Sequence, residues 1–186
     1  MLKRAMKRAM RKFGQRYDYD VGYMEHFIDV DPAACYKFSK VQPASAYRKG
    51  IPAEPWYAAK IRTVLTEDCG PCTQLAVNMA LEAGVSPNHI ASIVERRFNN
   101  LPEETAMVIR FTELTLAHDP AADDYRDRII SRWGEQALVS LALVISTTRV
   151  FPTLKYVLGH GKACARVTVG DESVPAIRAE AAGAVA

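Results

Sequence analysis

Apolar side chains recur every three or four residues along most of the chain, and Pro, Gly and Asp punctuate them. That pattern is the mark of successive amphipathic helices. Residues 2–15 put Leu2, Met6, Met10 and Phe13 on one stripe, with bases filling the other face. A short helix is expected over 20–29. Asp31-Pro32 then offers an N-cap and a first-turn proline for a helix to about Lys40. Pro43, Gly50, Pro52 and Pro55 break the next stretch, and helix returns over about 54–66. Residues 73–83 form a strong helical run closed by Gly84. Ser86-Pro87 starts a helix to about Phe98, and residues 100–102 start a longer one through His118, with Glu103 and Glu104 in its first turn. Asp119-Pro120 opens another that stops at Gly134. Residues 135–149 are apolar enough for a core helix. Pro152 is expected to interrupt it, with one or two more turns over 153–158. Beyond Gly159 the pattern fades; Ala163–Val169 has the look of a short strand, and the end is Ala-rich.

No strand–helix alternation and no internal repeat is visible, so the expected architecture is one all-α domain. It divides into a basic helix at 1–16, a helical domain at 17–160 and an irregular tail at 161–186. A hydrophobic fraction of 49% and a charged fraction of 24% suit a globular chain with one filled core. No apolar run reaches the roughly 20 residues of a membrane span, and no apolar segment follows the basic start, so neither a membrane span nor a secretory leader is expected.

The net charge of +3 is uneven. Of the 24 bases, seven lie in residues 1–16, which hold no acid; the other 17 face 21 acids, a net of −4. The body of the chain therefore gives no reason to expect nucleic acid, and no motif for it is present. The basic helix has the makings of a membrane-surface or transit segment, but its stripe is modest and lacks Trp. An arm laid on its own subunit or a neighbour is the favoured reading.

Chemistry concentrates at Cys69-Gly70-Pro71-Cys72, at the head of the 73–83 helix. Residues three apart share a helix face, so the sulfurs can meet and bond. A helix N-terminus favours a thiolate, and a cysteine of pKa about 8.5 falls to roughly 3.5–7.5 in such settings. Glu67 and Asp68 oppose this by like charge. Cys35 and Cys164 are isolated and read as small buried hydrophobes. Four cysteines do not make a disulfide scaffold, so a reducing cytoplasm and a redox-active pair are expected. The tetrapeptide is that of thioredoxins, but the preceding residues 57–66 read as helix rather than a central strand. Zinc would need a second ligand pair, and His26, His89, His118 and His160 are scattered. No metal or cofactor is expected.

From about Tyr57 to about His160 the chain resembles the AhpD-like branch of the carboxymuconolactone decarboxylase family. The likeness rests on Thr66-Glu67-Asp68-Cys69-Gly70-Pro71-Cys72, on Leu81-Glu82-Ala83-Gly84-Val85-Ser86, on Phe111-Thr112-Glu113 followed by His118-Asp119-Pro120, and on the apolar helix 135–149. The resemblance implies a helical bundle packed across subunits of a homo-oligomer, a trimer or hexamer, with a dimer also open. It implies a thiol peroxidase or disulfide reductase acting on a peroxide or disulfide and reset by a dithiol reductant. One thiolate would become a sulfenic acid and the other cysteine would condense with it; the family gives the attacking role to the second cysteine, here Cys72.

The family's relay has a Glu twelve residues before the first cysteine and a His four after the second. Here those positions hold Tyr57 and Ala76. A phenol of pKa near 10 is a poor base and alanine moves no proton. Glu54 and Glu67 are stand-ins, Glu67 being the leading one; His26, His89 or His118, brought in by the fold, or a histidine of a neighbouring subunit, are further candidates. The candidate site is therefore Cys69, Cys72 and Glu67. Loss of the relay also motivates a second expectation, a binding or scaffold protein whose cysteines sense redox state. Decarboxylase or lactone chemistry, as in the family's namesake, is a distant third.

Overall fold

In the computed structural model, which describes residues 2–163 and 165–179, helix follows helix to residue 157. The order is α1 Leu2–Tyr17, α2 Gly22–Val30, α3 Pro32–Phe38, α4 Val41–Ser45, α5 Ala53–Thr66, α6 Gly70–Glu82, α7 Pro87–Val94, α8 Glu103–Leu116, α9 Ala122–Trp133, α10 Glu135–Thr148 and α11 Val150–Val157. Asp31 caps α3 as its sequence suggests, accepting from the N–H groups of Ala33 and Ala34. The fold is mostly helical and compact.

Helix α5 is the axis. It packs against α6, α7, α8 and α10. One side gives Ala58, Ile61, Val64 and Leu65 to a core shared with α6 and α7. The other gives Trp56 and Ala59 to a core shared with α8, α9 and α10. Each Ile, Val or Leu withdrawn from water here contributes about 1.5–3 kcal/mol.

A charge lies between these cores. Arg62 on α5 is fully buried, and its Nη1 donates to the carbonyls of Ile93 (3.1 Å) and Ile177 (2.7 Å). Its Nη2 lies 2.7 Å from Glu113 Oε1 on α8. Arg96 closes the other side of that carboxylate, with Nη2 donating to Glu113 Oε2 at 3.0 Å. This explains why α7 stops at Val94, short of the expected Phe98. Arg96 adopts a left-handed φ of 60° and Arg97 N–H bonds back to the Ser92 carbonyl, which ends the helix and turns Arg96 toward Glu113. Phe98–Asn100 follows as a 3₁₀ turn.

Two further boundaries differ from expectation. The break near Pro152 falls earlier, at Arg149, which ends α10 and starts α11. Pro152 sits in the first turn of α11, where no intrahelical N–H is needed. Taken together, Glu135–Val157 spans 23 residues and holds an 18-residue window of mean hydropathy 1.6, so among the described residues one helical stretch is long and apolar enough to cross a membrane by length and composition. It also supplies core residues Ala137, Leu141, Val144 and Ile145. Finally, the tail expected to be irregular from 161 contains a hairpin, whose first strand falls within the stretch 163–169 where a short strand is expected. Strand β1 Arg166–Val169 pairs antiparallel with β2 Glu172–Pro175, Val167 opposite Val174. The valines alternate inward onto α6 and α7. Gln74 of α6 ties it down: its Oε1 accepts from Thr168 N–H (2.7 Å) and its Nε2 donates to the Thr168 carbonyl (2.8 Å). Cys164 and the Ala-rich end from 180 lie outside the described residues.

The basic helix α1 lies as an arm on α2 and α6. Lys7 pairs with Asp29, Arg11 with Glu25 and Arg16 with Glu82. The run of bases thus finds acids on its own chain, in exposed pairs that water and salt screen.

Two predictions follow from the α5 charges. Glu113→Ala leaves two guanidinium groups without their shared carboxylate and is expected to cost about 3–5 kcal/mol in denaturant unfolding. Lys60 donates to the Ser45 carbonyl and stacks over Trp56, and burial lowers it from 10.5 to about 8. Between these two values the unfolded chain binds a proton that the folded chain has released. Stability gained from this group therefore rises with pH from about 8 to 10.5 and is absent below. Lys60→Met should lack that rise when unfolding free energies of the two proteins are compared across the window.

Candidate redox site

Cys69 is the N-cap of α6, and Cys72 stands in its first turn. The two are joined as a disulfide, with Cα atoms 5.3 Å apart. The approach to the pair is fixed from three sides. Asp68 takes a left-handed φ of 51°, which turns the chain sharply from α5 into α6. The Tyr156 hydroxyl donates to the Asp68 carbonyl (2.7 Å), and Gly70 N–H donates to the Lys162 carbonyl (2.9 Å). Arg149 holds Glu67, and Arg178 holds Asp68. With Pro71 in the first turn, the helix start is pinned by the segments after α10 and α11.

Both sulfur-bearing residues are buried, Cys69 at 0% exposure and Cys72 at 7%. The group over Cys72 is Tyr19, whose hydroxyl oxygen lies 3.8 Å from Sγ. A disulfide sulfur has no hydrogen to give, so in this state the phenol is the donor. Behind it stands Lys155 of α11, only 3% exposed, whose Nζ donates to the Tyr19 hydroxyl at 3.3 Å. The same Nζ sits 4.8 Å from the Tyr19 ring centre and 4.9 Å from that of Tyr23. Desolvation lowers the Lys155 pKa, while nearby Asp20 raises it and Lys162 lowers it. Burial pushes the Tyr19 phenol far up, so it is held as a neutral donor.

Tyr19 reaches this position because α1 ends in a tight return. Asp18 has a left-handed φ of 47° and Tyr19 N–H bonds back to the Gly14 carbonyl (2.9 Å). A Cβ at Gly14 would lie 2.7 Å from the Tyr19 carbonyl oxygen, so only glycine lets the chain fold back so closely. The Tyr17 carbonyl then accepts from Asn78, and Glu82 takes Tyr17 and Arg16, locking the loop to α6.

The other expected participants are engaged elsewhere. Glu67 is two residues from Cys69, and its carboxylate accepts from Arg149 Nε at 2.5 Å. Glu54 pairs with His89 (2.9 Å) and accepts from Thr105 (2.8 Å). Tyr57 meets Trp56 edge-on, and Ala76 is buried in the core. His26 and His160 face each other with ring centres 5.6 Å apart, and His118 is exposed on a turn. Among the described residues no three His, Cys, Asp or Glu side chains converge to hold a metal ion. Two surface clefts of about 570 and 550 Å³ lie between α8 and α9 and along α10–α11, and no cysteine lines either.

Tyr19 and Lys155 were not singled out from the sequence. A signal existed for the lysine: it is the one base in the apolar run Val150–Val157. Tyr19 had none beyond its place after a glycine-bearing helix.

Comparison of the chain with known protein families, with curated proteins and with solved structures returns no match.

Gly14→Ala should displace the Tyr19 loop. The expected result is a loss of about 1–3 kcal/mol in unfolding free energy and faster reduction of the Cys69–Cys72 disulfide by dithiothreitol, followed by thiol counting.

Proposed function

We propose that this protein is a thiol–disulfide oxidoreductase of the AhpD-like kind, which cycles Cys69 and Cys72 between dithiol and disulfide. The observation that carries the reading is the bonded pair at the N-terminus of a core helix, the place where backbone N–H groups and helix dipole best support a thiolate. A helical architecture around it is consistent with the AhpD-like expectation. The substrate is a peroxide or a disulfide, the electrons come from a dithiol, and the setting is a reducing cytoplasm. A homo-oligomer with helices packed across subunits belongs to the same proposal.

One observation favours a second reading. Both cysteines are buried, with the Tyr19 hydroxyl over Cys72, as suits a redox sensor whose disulfide holds the N-terminal arm in place. The two readings part on turnover. With a dithiol reductant supplied, an enzyme consumes an organic hydroperoxide or a small disulfide continuously, and Cys69→Ser with Cys72→Ser returns the rate to background. A rate unchanged in that double variant overturns the enzyme. A sensor shows no turnover, but its elution in gel filtration shifts between oxidising and reducing buffer; an elution profile that never moves overturns the sensor.

A further inference from the structure

We propose that the Tyr19 hydroxyl is the hydrogen-bond donor to the Cys72 sulfur and the proton donor to the oxygen that leaves when this sulfur reacts, and that Lys155 positions it. This rests on the dithiol reading above and supplies the proton transfer for which the sequence offers Tyr57 and Ala76. The geometry is a line of three side chains from three parts of the chain: Lys155 Nζ to Tyr19 hydroxyl at 3.3 Å, and Tyr19 hydroxyl to Cys72 Sγ at 3.8 Å.

Direction along this line follows from donor chemistry. A lysine ammonium can only donate. By donating to the Tyr19 oxygen it orients the phenolic proton outward, toward the sulfur or toward Tyr23, the neighbouring phenol to which Tyr19 is also coupled. Stacking on both rings fixes Nζ in place. An exposed ion pair would lose most of its strength to water, but Lys155 and Tyr19 are shielded, at 3% and 9% exposure. A charged donor behind a neutral one strengthens the hydrogen bond in front of it.

The chemistry balances as follows. The Cys72 thiolate attacks the terminal oxygen of a hydroperoxide. An S–O bond forms, the O–O bond breaks, and the alkoxide leaves with the electron pair. The alkoxide takes the Tyr19 proton, and Lys155 returns one to the phenolate before recovering its own from water. The Cys69 thiol then displaces hydroxide from the Cys72 sulfenic acid; with the thiol proton this leaves as water, and the disulfide is restored. An external dithiol supplies two electrons and two protons to open it again, becoming a disulfide itself. In the reduced state the same phenol donates to the Cys72 thiolate and lowers its pKa.

The charged and titratable groups around the line are Asp20 and Lys162, which act on Lys155 with opposite sign, Tyr23 beside Lys155, Cys35 of α3 near Tyr23, and Cys69 itself. Their contributions are common to wild type and to variants that change Tyr19 or Lys155 alone.

The test is the pH dependence of Cys72 alkylation in the reduced full-length protein, read at that cysteine by peptide mass. Tyr19→Phe keeps the ring and its packing and removes only the hydroxyl. It is expected to raise the Cys72 thiol pKa by roughly 1 unit, the scale of one hydrogen bond to a charged group. Lys155→Met should move it the same way, and Lys155→Arg, which still donates, should restore most of the wild-type profile. A Cys72 profile unchanged in both Tyr19→Phe and Lys155→Met overturns the assignment. If Cys69 and Cys72 fail to interconvert in wild type, the dithiol reading itself falls; interconversion with an unmoved profile removes only the role of Tyr19 and Lys155.

Discussion

The fold turns on one buried cation. Arg62 is taken wholly out of water on the axial helix, a cost of several kcal/mol for a charged group unless its hydrogen-bonding capacity is met. Carbonyls at the end of α7 and in the C-terminal segment take Nη1 and the Glu113 carboxylate lies against Nη2, while Nε has no hydrogen-bond partner among the described residues. Pieces of chain that are far apart in sequence must therefore arrive together to offset the buried charge. Desolvation pulls the Arg62 pKa down while Glu113 pulls it up, so charge and partner are held in place jointly. A leucine at this position would bury as well but would impose no such requirement. Helix α5 ends at Thr66, one turn beyond Arg62, and the turn to Cys69 follows directly, so the cation that orders the core also sets the base on which the cysteines stand.

Around the cysteines, positioning is divided among segments from both ends of the chain. The N-terminal arm contributes Tyr19 and Tyr23. The stretch around α11 contributes Lys155, Tyr156 and Lys162. The C-terminal segment contributes Arg178 and the hairpin that packs on α6. The helix bearing the disulfide is itself weakly amphipathic and gives Ala76, Val77 and Ala80 to the core. Its chemistry is local, but the electrostatic surroundings of its sulfurs are supplied by distant sequence.

That division explains what was legible. Helix positions were readable because each depends on short-range spacing and local stops: Asp31-Pro32 before α3, Gly84 after α6 and Gly134 between α9 and α10 all act where the sequence places them. The closeness of Cys69 and Cys72 was readable for the same reason. Misreadings arose where tertiary contacts decide. Helix α7 ends early because Arg96 is drawn to Glu113, and the hairpin near the C-terminus forms on valines that need α6 and α7 to cover them. The Tyr19–Lys155 contact spans 136 positions, and no periodicity points to it. Glu67 was chosen by nearness in sequence, while its carboxylate is held by Arg149, 82 residues away.

The tie between Gln74 and Thr168 has a consequence for the hairpin. A two-stranded ribbon presents unpaired N–H and C=O groups along each outer side, a template on which another extended chain can assemble. On the β1 side, a side-chain amide satisfies both backbone groups of the central outward residue. One glutamine thus imitates a third strand one residue long and denies foreign chains that place of attachment.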